Sequence, residues 1–212
     1  MNDFLQAPPI DPLPPTPVFE RFLFEQPLLP VIALVLLAIV ALVAFSGRGQ
    51  RRRGLVVAGV LLVAAGAIYA TASIVTTTRE VLLQQTERLI AATATADTQT
   101  LSTLLSGDAS LETSGAIARV LPSVESVPEL LDGVDRYMGR QYTLSGWEIL
   151  DRQATVDGPN VGRTLVRVGV DGDAFSRTHY SWWRLHWTVG PDGVWRCFEI
   201  EPRWIQFVGS AD

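Results

Sequence analysis

The chain contains no lysine among its 212 residues, a single cysteine and only two histidines, and no charged residue lies within 27–46 or 54–78. Each absence removes a class of protein. One cysteine, Cys197, can form neither an internal disulfide nor a multi-cysteine metal site. The two histidines, His179 and His186, are an odd number of positions apart, which in a strand sends them to opposite faces of the sheet. No metal and no cofactor is therefore expected. No phosphate-binding glycine loop, dinucleotide fingerprint or nucleophile elbow occurs in 77–212. Ion pathways and transport sites need ionisable groups inside the membrane, so two uncharged stretches argue against a channel or transporter. The missing lysine, beside abundant Ala, Gly and Arg, matches no folding requirement and reads as base composition of the coding sequence.

What is present is sharply partitioned. Residues 1–26 carry four acids against Arg21, 47–53 carry four arginines and no acid, and 77–212 carry eighteen acids against twelve arginines. A membrane crossing of about 30 Å needs about 20 apolar residues, and both PLLPVIALVLLAIVALVAFS and GLVVAGVLLVAAGAIYATASIV are long enough. The first is no cleaved signal, because the residues before it are acidic and proline-rich rather than basic. The short connection between the spans forces a hairpin. Arg48, Arg51, Arg52 and Arg53 place that turn in the cytoplasm by the positive-inside rule. The expected organisation is a proline-rich extracytoplasmic arm (1–26), a two-span hairpin (27–76) with a cytoplasmic arginine loop (47–53), and an extracytoplasmic α+β domain (77–212). This makes a multi-pass protein of the cell (inner) membrane with both termini outside and the lipid bilayer as its first partner.

Seven prolines in the first 27 residues predict an extended arm. Phe19, Phe22, Leu23 and Phe24 beside Arg21 suit the headgroup level. Small residues recur in the second span at intervals of seven: Gly59, Gly66 and Ser73 in one row, with Ala58, Ala65 and Ala72 beside it. Such a stripe lets a neighbouring helix approach closely along a left-handed seam, and Gly59, Gly66 and Ser73 are the expected packing residues.

Beyond the spans, Leu82, Leu83, Leu89 and Ile90 share a helical stripe. Asp97 can cap a second short helix, TQTLSTLLS, ending at Gly107. Further helical pattern follows, interrupted by Pro122 and Pro128. From Tyr142 the period changes to two, giving strands WEILDRQATV, GRTLVRVGV, RTHYSWWRLHWTV and GVWRCFEIEPRWIQFV, divided by the turn sequences VDGPNV, DGDAFS and GPDG. Helices followed by a meander predict an α+β domain in which helices pack on one face of a curved antiparallel sheet, forming a half-open cone.

The helix, then Asp97 with Leu104, Leu105, Ser106 and Asp108, then the terminal hairpin with Asp192, Gly193, Trp195, Arg196, Ile200 and Glu201 resemble the nuclear transport factor 2-like superfamily, which includes SnoaL-like and ketosteroid-isomerase-like proteins. The resemblance runs from about Thr77 to Val208 and lies in order and spacing. It implies a cone-shaped domain. Some such domains are lyases or isomerases with an Asp/His pair in the cone, and others are non-catalytic ligand or assembly modules.

Candidate site residues follow from both readings. His179 or His186, paired with Asp151 or Asp173, can supply a general base for proton abstraction beside a carbonyl. Cys197 has no histidine partner and reads as a packed side chain. All six tryptophans fall in the strand region, interleaved with arginines, yet the domain's net negative charge and its location oppose nucleic-acid binding. On the third strand, His179, Ser181, Trp183, Leu185 and Trp187 share one face, and Tyr180, Trp182, Arg184 and His186 the other. One face packs on the helices, and the other needs a covering. Trp182, Trp183, Trp187 and Arg184 are therefore the candidate binding residues, for a partner protein, a second copy of the chain or a small apolar ligand. The expected function is a membrane-anchored, non-catalytic binding module, with a SnoaL-like lyase or isomerase as the alternative.

Overall fold

The structure, a computed structural model, describes residues 10–15, 28–74, 77–142, 144–172 and 177–211. Phe19, Arg21, Phe22, Leu23, Phe24 and Asp173 lie outside the described residues, as does the Ser73 side chain. The chain divides into two units, one from Pro15 to Thr77 and one from Thr78 to Asp212 together with the start of the chain up to Pro14.

The first unit is a pair of helices, α1 (Leu28–Gly47) and α2 (Arg51–Ile74). Both are long and apolar enough to cross a membrane. The turn closes by Gln50 N–H donating to the Phe45 carbonyl at 2.9 Å, with Gly49 at φ +71°, a conformation that glycine adopts without a Cβ penalty. Arg48, Arg51, Arg52 and Arg53 are all exposed, and the last three form the first turn of α2. The seam between the helices is not the expected glycine row. Ala58 and Ala65 are 3 % and 4 % exposed, and a Cβ on Gly54 would lie 2.9 Å from the Phe45 Cβ. At Gly59 and Gly66 a Cβ would meet nothing within 4 Å. The alanine row faces α1, at Gly54, Ala58 and Ala65, because a 3.5-residue seam runs through only one of two adjacent rows.

The second unit is α+β. Helix α3 (Thr78–Ala94) buries Leu82, Thr86, Leu89 and Ala92, and Asp97 caps α4 (Thr98–Leu104) by accepting from Thr100 N–H at 3.0 Å. Next come β1 (Leu105–Leu111), a single turn of 3₁₀-helix (Ile117–Arg119) and α5 (Val127–Val134). Pro128 occupies the first turn of α5 rather than breaking it. A π-helical stretch, Asp135–Gln141, follows directly. The sheet then adds β2 (Leu144–Gly158), β3 (Val161–Gly172), β4 (His179–Val189), β5 (Trp195–Ile205) and β6 (Gly209–Ser210).

The four expected strands are present and antiparallel in sequence, but the sheet is mixed. Its order is β1-β5-β4-β3-β2, with β6 also on β5, and β1 runs parallel to β5. Leu105 and Ser106 were expected to finish a helix that ends at Gly107, and residues 105–111 were not expected to be a strand. They form one, because their partner lies some ninety positions downstream, where no local pattern reports it.

Two irregularities in β5 set which side chains face which way. Trp187 pairs with Cys197 while His186 pairs with Glu199, and Trp183 pairs with Pro202 while Trp182 pairs with Trp204. Each leaves one β5 residue unpaired, a β-bulge that reverses the alternation. Trp195, Cys197, Ile200 and Pro202 thereby face the helices with Leu185 and Trp187. Arg196, Glu199, Glu201 and Trp204 face outward with Trp182, Arg184 and His186. Strict alternation would have put Cys197 and Glu199 on one side. The helix-side core comprises Leu82, Leu89, Leu101, Leu104, Ala154, Leu185, Trp187, Trp195 and Cys197 among others, and Arg79 of α3 ties to it by donating to the Ala154 carbonyl.

Candidate functional site

Between the helices and the inner face of the sheet lies a cavity of about 340 Å³. Leu89 and Ile90 of α3, Leu101 of α4, Leu105 and Leu111 of β1, and Leu130 and Val134 of α5 form its roof. Val166, Val168 and Val170, alternate residues of β3, form the floor with Ser181, Trp183, Leu185 and Ile200. The volume falls within the range of small-molecule sites, about 300–1,000 Å³. Its polar groups are few and mostly engaged. Thr93 Oγ1 donates to the Leu89 carbonyl at 2.8 Å, and Trp183 Nε1–H donates to Ser181 Oγ at 2.8 Å. The Ser181 hydroxyl keeps its own proton to give. Glu129 and Tyr137 line it from exposed positions.

The sequence-derived candidates scatter around this cavity. Trp183 is in its wall, and Trp187 is fully buried, its Nε1–H donating to Thr164 Oγ1 at 2.9 Å. Trp182 and Arg184 lie on the opposite, outer face. His179 shares the inner-face parity but packs edge-on against Phe207 at 5.3 Å and is not part of the cavity wall. His186 is on the outer face, 5.9 Å from the Phe198 ring. Asp151 pairs with Arg167, which pairs with Trp182, and so also belongs to the outer face; it borders a separate recess along the edge strand β2, lined also by Glu87 and Arg152. Among the described residues, neither histidine is brought together with Asp151 at the cavity. Among the described residues no three His, Cys, Asp or Glu side chains are grouped as a metal ion needs.

Charge is concentrated on the outer face. Glu201 accepts from Arg203 Nη1 at 2.6 Å and stands 3.5 Å from Arg184 Nη1. His186 Nε2 is 3.8 Å from Glu201 and 4.0 Å from Glu199, ion-pair rather than hydrogen-bond distances. His186, then Arg203 and Arg184, outweigh partial burial and hold the Glu201 carboxyl at about 2. Asp157 receives two hydrogen bonds from Arg163, at 2.7 and 2.8 Å, and is lowered by them. Burial pushes the Cys197 thiol up to about 12, which leaves it protonated and inert.

The cavity residues were mostly absent from the sequence reading. The period-two run Val166, Val168, Val170 is visible there, but it distinguishes a cavity floor from a packed core only once the roof is placed.

No family model matches the chain, and no curated protein does. Solved structures are similar in fold: an NTF2-like protein from Cytophaga hutchinsonii at 17 % identity and TM-score 0.47, covering 60 % of this chain and 98 % of that one; a candidate ketosteroid isomerase from Shewanella frigidimarina at 13 % and 0.48, covering 56 % and 91 %; and the association domain of a C. elegans calmodulin-dependent kinase at 14 % and 0.45, covering 57 % and 91 %. The α+β arrangement of the second unit is similar to that of these structures. The likeness is one of backbone course alone. It agrees with the resemblance carried by Asp97–Asp108 and Asp192–Glu201.

Proposed function

We propose that the NTF2-like unit is a membrane-anchored module that receives a small apolar molecule, held by dispersion against Leu89, Val168, Leu185 and Trp183 and oriented by one hydrogen bond from Ser181. The observation that carries this reading is the aliphatic cavity of about 340 Å³, with neither His179 nor His186 in its wall. A saturable change in tryptophan fluorescence with 2-acetonaphthone, a small apolar ketone, tests it. Filling the floor with Val168→Trp should weaken binding at least tenfold, while His179→Ala and His186→Ala should leave it unchanged. Binding indifferent to Val168→Trp would overturn the reading. Histidine-dependent conversion of a small carbonyl compound would establish the lyase or isomerase alternative.

The anchor is the α1–α2 hairpin, and its turn faces the cytoplasm. Three arginines in the first turn of α2 oppose the helix dipole, which disfavours cations there, so helix stability does not account for them, and this supports the cytoplasmic placement of the turn. Alkaline phosphatase fused after Asp212 should be active. Activity of a cytoplasmic reporter at that point would reverse the orientation.

A further inference from the structure

The outer face of the sheet is met by the chain's own beginning. Leu13 N–H donates to Gln153 Oε1 at 3.1 Å across 140 positions, and Leu13 is 7 % exposed although Pro12, Pro14 and Pro15 around it are exposed. Gln153 pairs with Leu165 and Leu165 with Arg184, which puts all three on the outer face. Leu165 is only 1 % exposed, yet it is not part of the helix-side core.

The outer face is rich in N–H donors and the arm in acceptors, although residues 10–15 as seated do not pair with the three buried donors of that face. Arg167 Nε, Trp182 Nε1 and Arg184 Nε, all on the outer face, are shielded from solvent and have no hydrogen-bond acceptor among the described residues. The segment Ile10–Pro15 reads IDPLPP: six backbone carbonyls but only three N–H groups, since proline has none. A proline-rich segment takes an extended form with no internal hydrogen bonds, so its carbonyls are open to outside donors. Aromatic surfaces that carry donors are the general means of holding such segments.

We propose that the outer face of the sheet is a docking groove for an extended, proline-rich segment, and that residues 10–15 of this chain are its occupant, anchored by the hydrogen bond of Leu13 to Gln153. The face that the arm meets is also the one that carries Trp182 and Arg184. The inference is independent of the cavity, which lies on the opposite side of the sheet.

Hydrogen–deuterium exchange on the full chain in lipid nanodiscs tests it. Peptides covering residues 10–15 should exchange at least tenfold more slowly than the same sequence as a free peptide. Gln153→Ala and Leu13→Asp should remove that protection, while Gln153→Glu, which keeps an acceptor, should retain it; exchange in β3 and β4 reports that the domain stays folded. A capped hexapeptide IDPLPP should bind the Leu13→Asp chain at least tenfold more tightly than the wild type, whose groove is filled. Free-peptide exchange in the wild type, protection that survives Gln153→Ala, or equal hexapeptide binding to both chains would overturn the proposal. Protection that rises with protein concentration would also overturn it, by showing that a second copy supplies the arm.

Discussion

Trp187 donates its indole N–H to Thr164 Oγ1 at 2.9 Å, and Thr164 Oγ1 lies 2.9 Å from Thr86 Oγ1 on α3. Thr86 in turn reaches the Leu82 carbonyl at 2.8 Å, so one chain of polar contacts runs from β4 through β3 into the helix. All three side chains are buried. This tryptophan pins the helix to the sheet and is not available as a binding surface.

Removing the middle of that chain is therefore expensive. Thr164→Val keeps the shape but leaves an indole N–H without an acceptor, and should destabilise the domain by about 1–3 kcal/mol. Thr164→Ser restores the hydroxyl and should recover most of the loss. Chemical unfolding followed by circular dichroism measures both, and a neutral Thr164→Val would refute the role.

Helix α3 packs tightly against β3 at Gly162. A Cβ there would lie 2.6 Å from Leu82 Cδ1 and 3.0 Å from the Thr155 carbonyl. Leu82 is fully buried and has little room to yield, so Gly162→Ala should lower stability by about 1–3 kcal/mol as an overpacked core does. Pairing it with Leu82→Ala should cost less than the sum of the two single changes.

In the hairpin, Ala65→Leu should separate α1 from α2, whereas Gly66→Leu points into open space and should be tolerated. Disulfide crosslinking between cysteines introduced in α1 and α2 reads the separation. Equal loss of crosslinking in both variants would show that the two rows are not distinguished.

Glu201 gives the outer face an acid-sensitive element. Its carboxyl is held at about 2 against an ordinary value of 4.5, so the folded state binds its proton less readily than the unfolded state does. Its contribution to stability is then complete above pH 4.5 and is lost as pH falls towards 2. Glu201→Gln should flatten the stability profile across that window and leave it unchanged in slope near neutrality. An unaltered acid limb in Glu201→Gln would assign the effect elsewhere.

The sequence by itself determined what depends on near neighbours. Composition over twenty residues marks the two apolar helices, a capping aspartate marks the start of α4, and period-two alternation with DG and GPDG turns marks β2 to β5. Tertiary structure decided what depends on pairing. Residues 105–111 became a strand only because β5 offered a parallel edge. The two bulges in β5 exist only relative to β4, and they alone determine that Cys197 turns inward and Glu199 outward. The choice between the Ala58–Ala65 row and the Gly59–Gly66 row required the partner helix, since both have the same period. The Leu13–Gln153 contact joins a proline-rich arm to a strand 140 residues away, and no local pattern encodes a hydrogen bond at that separation.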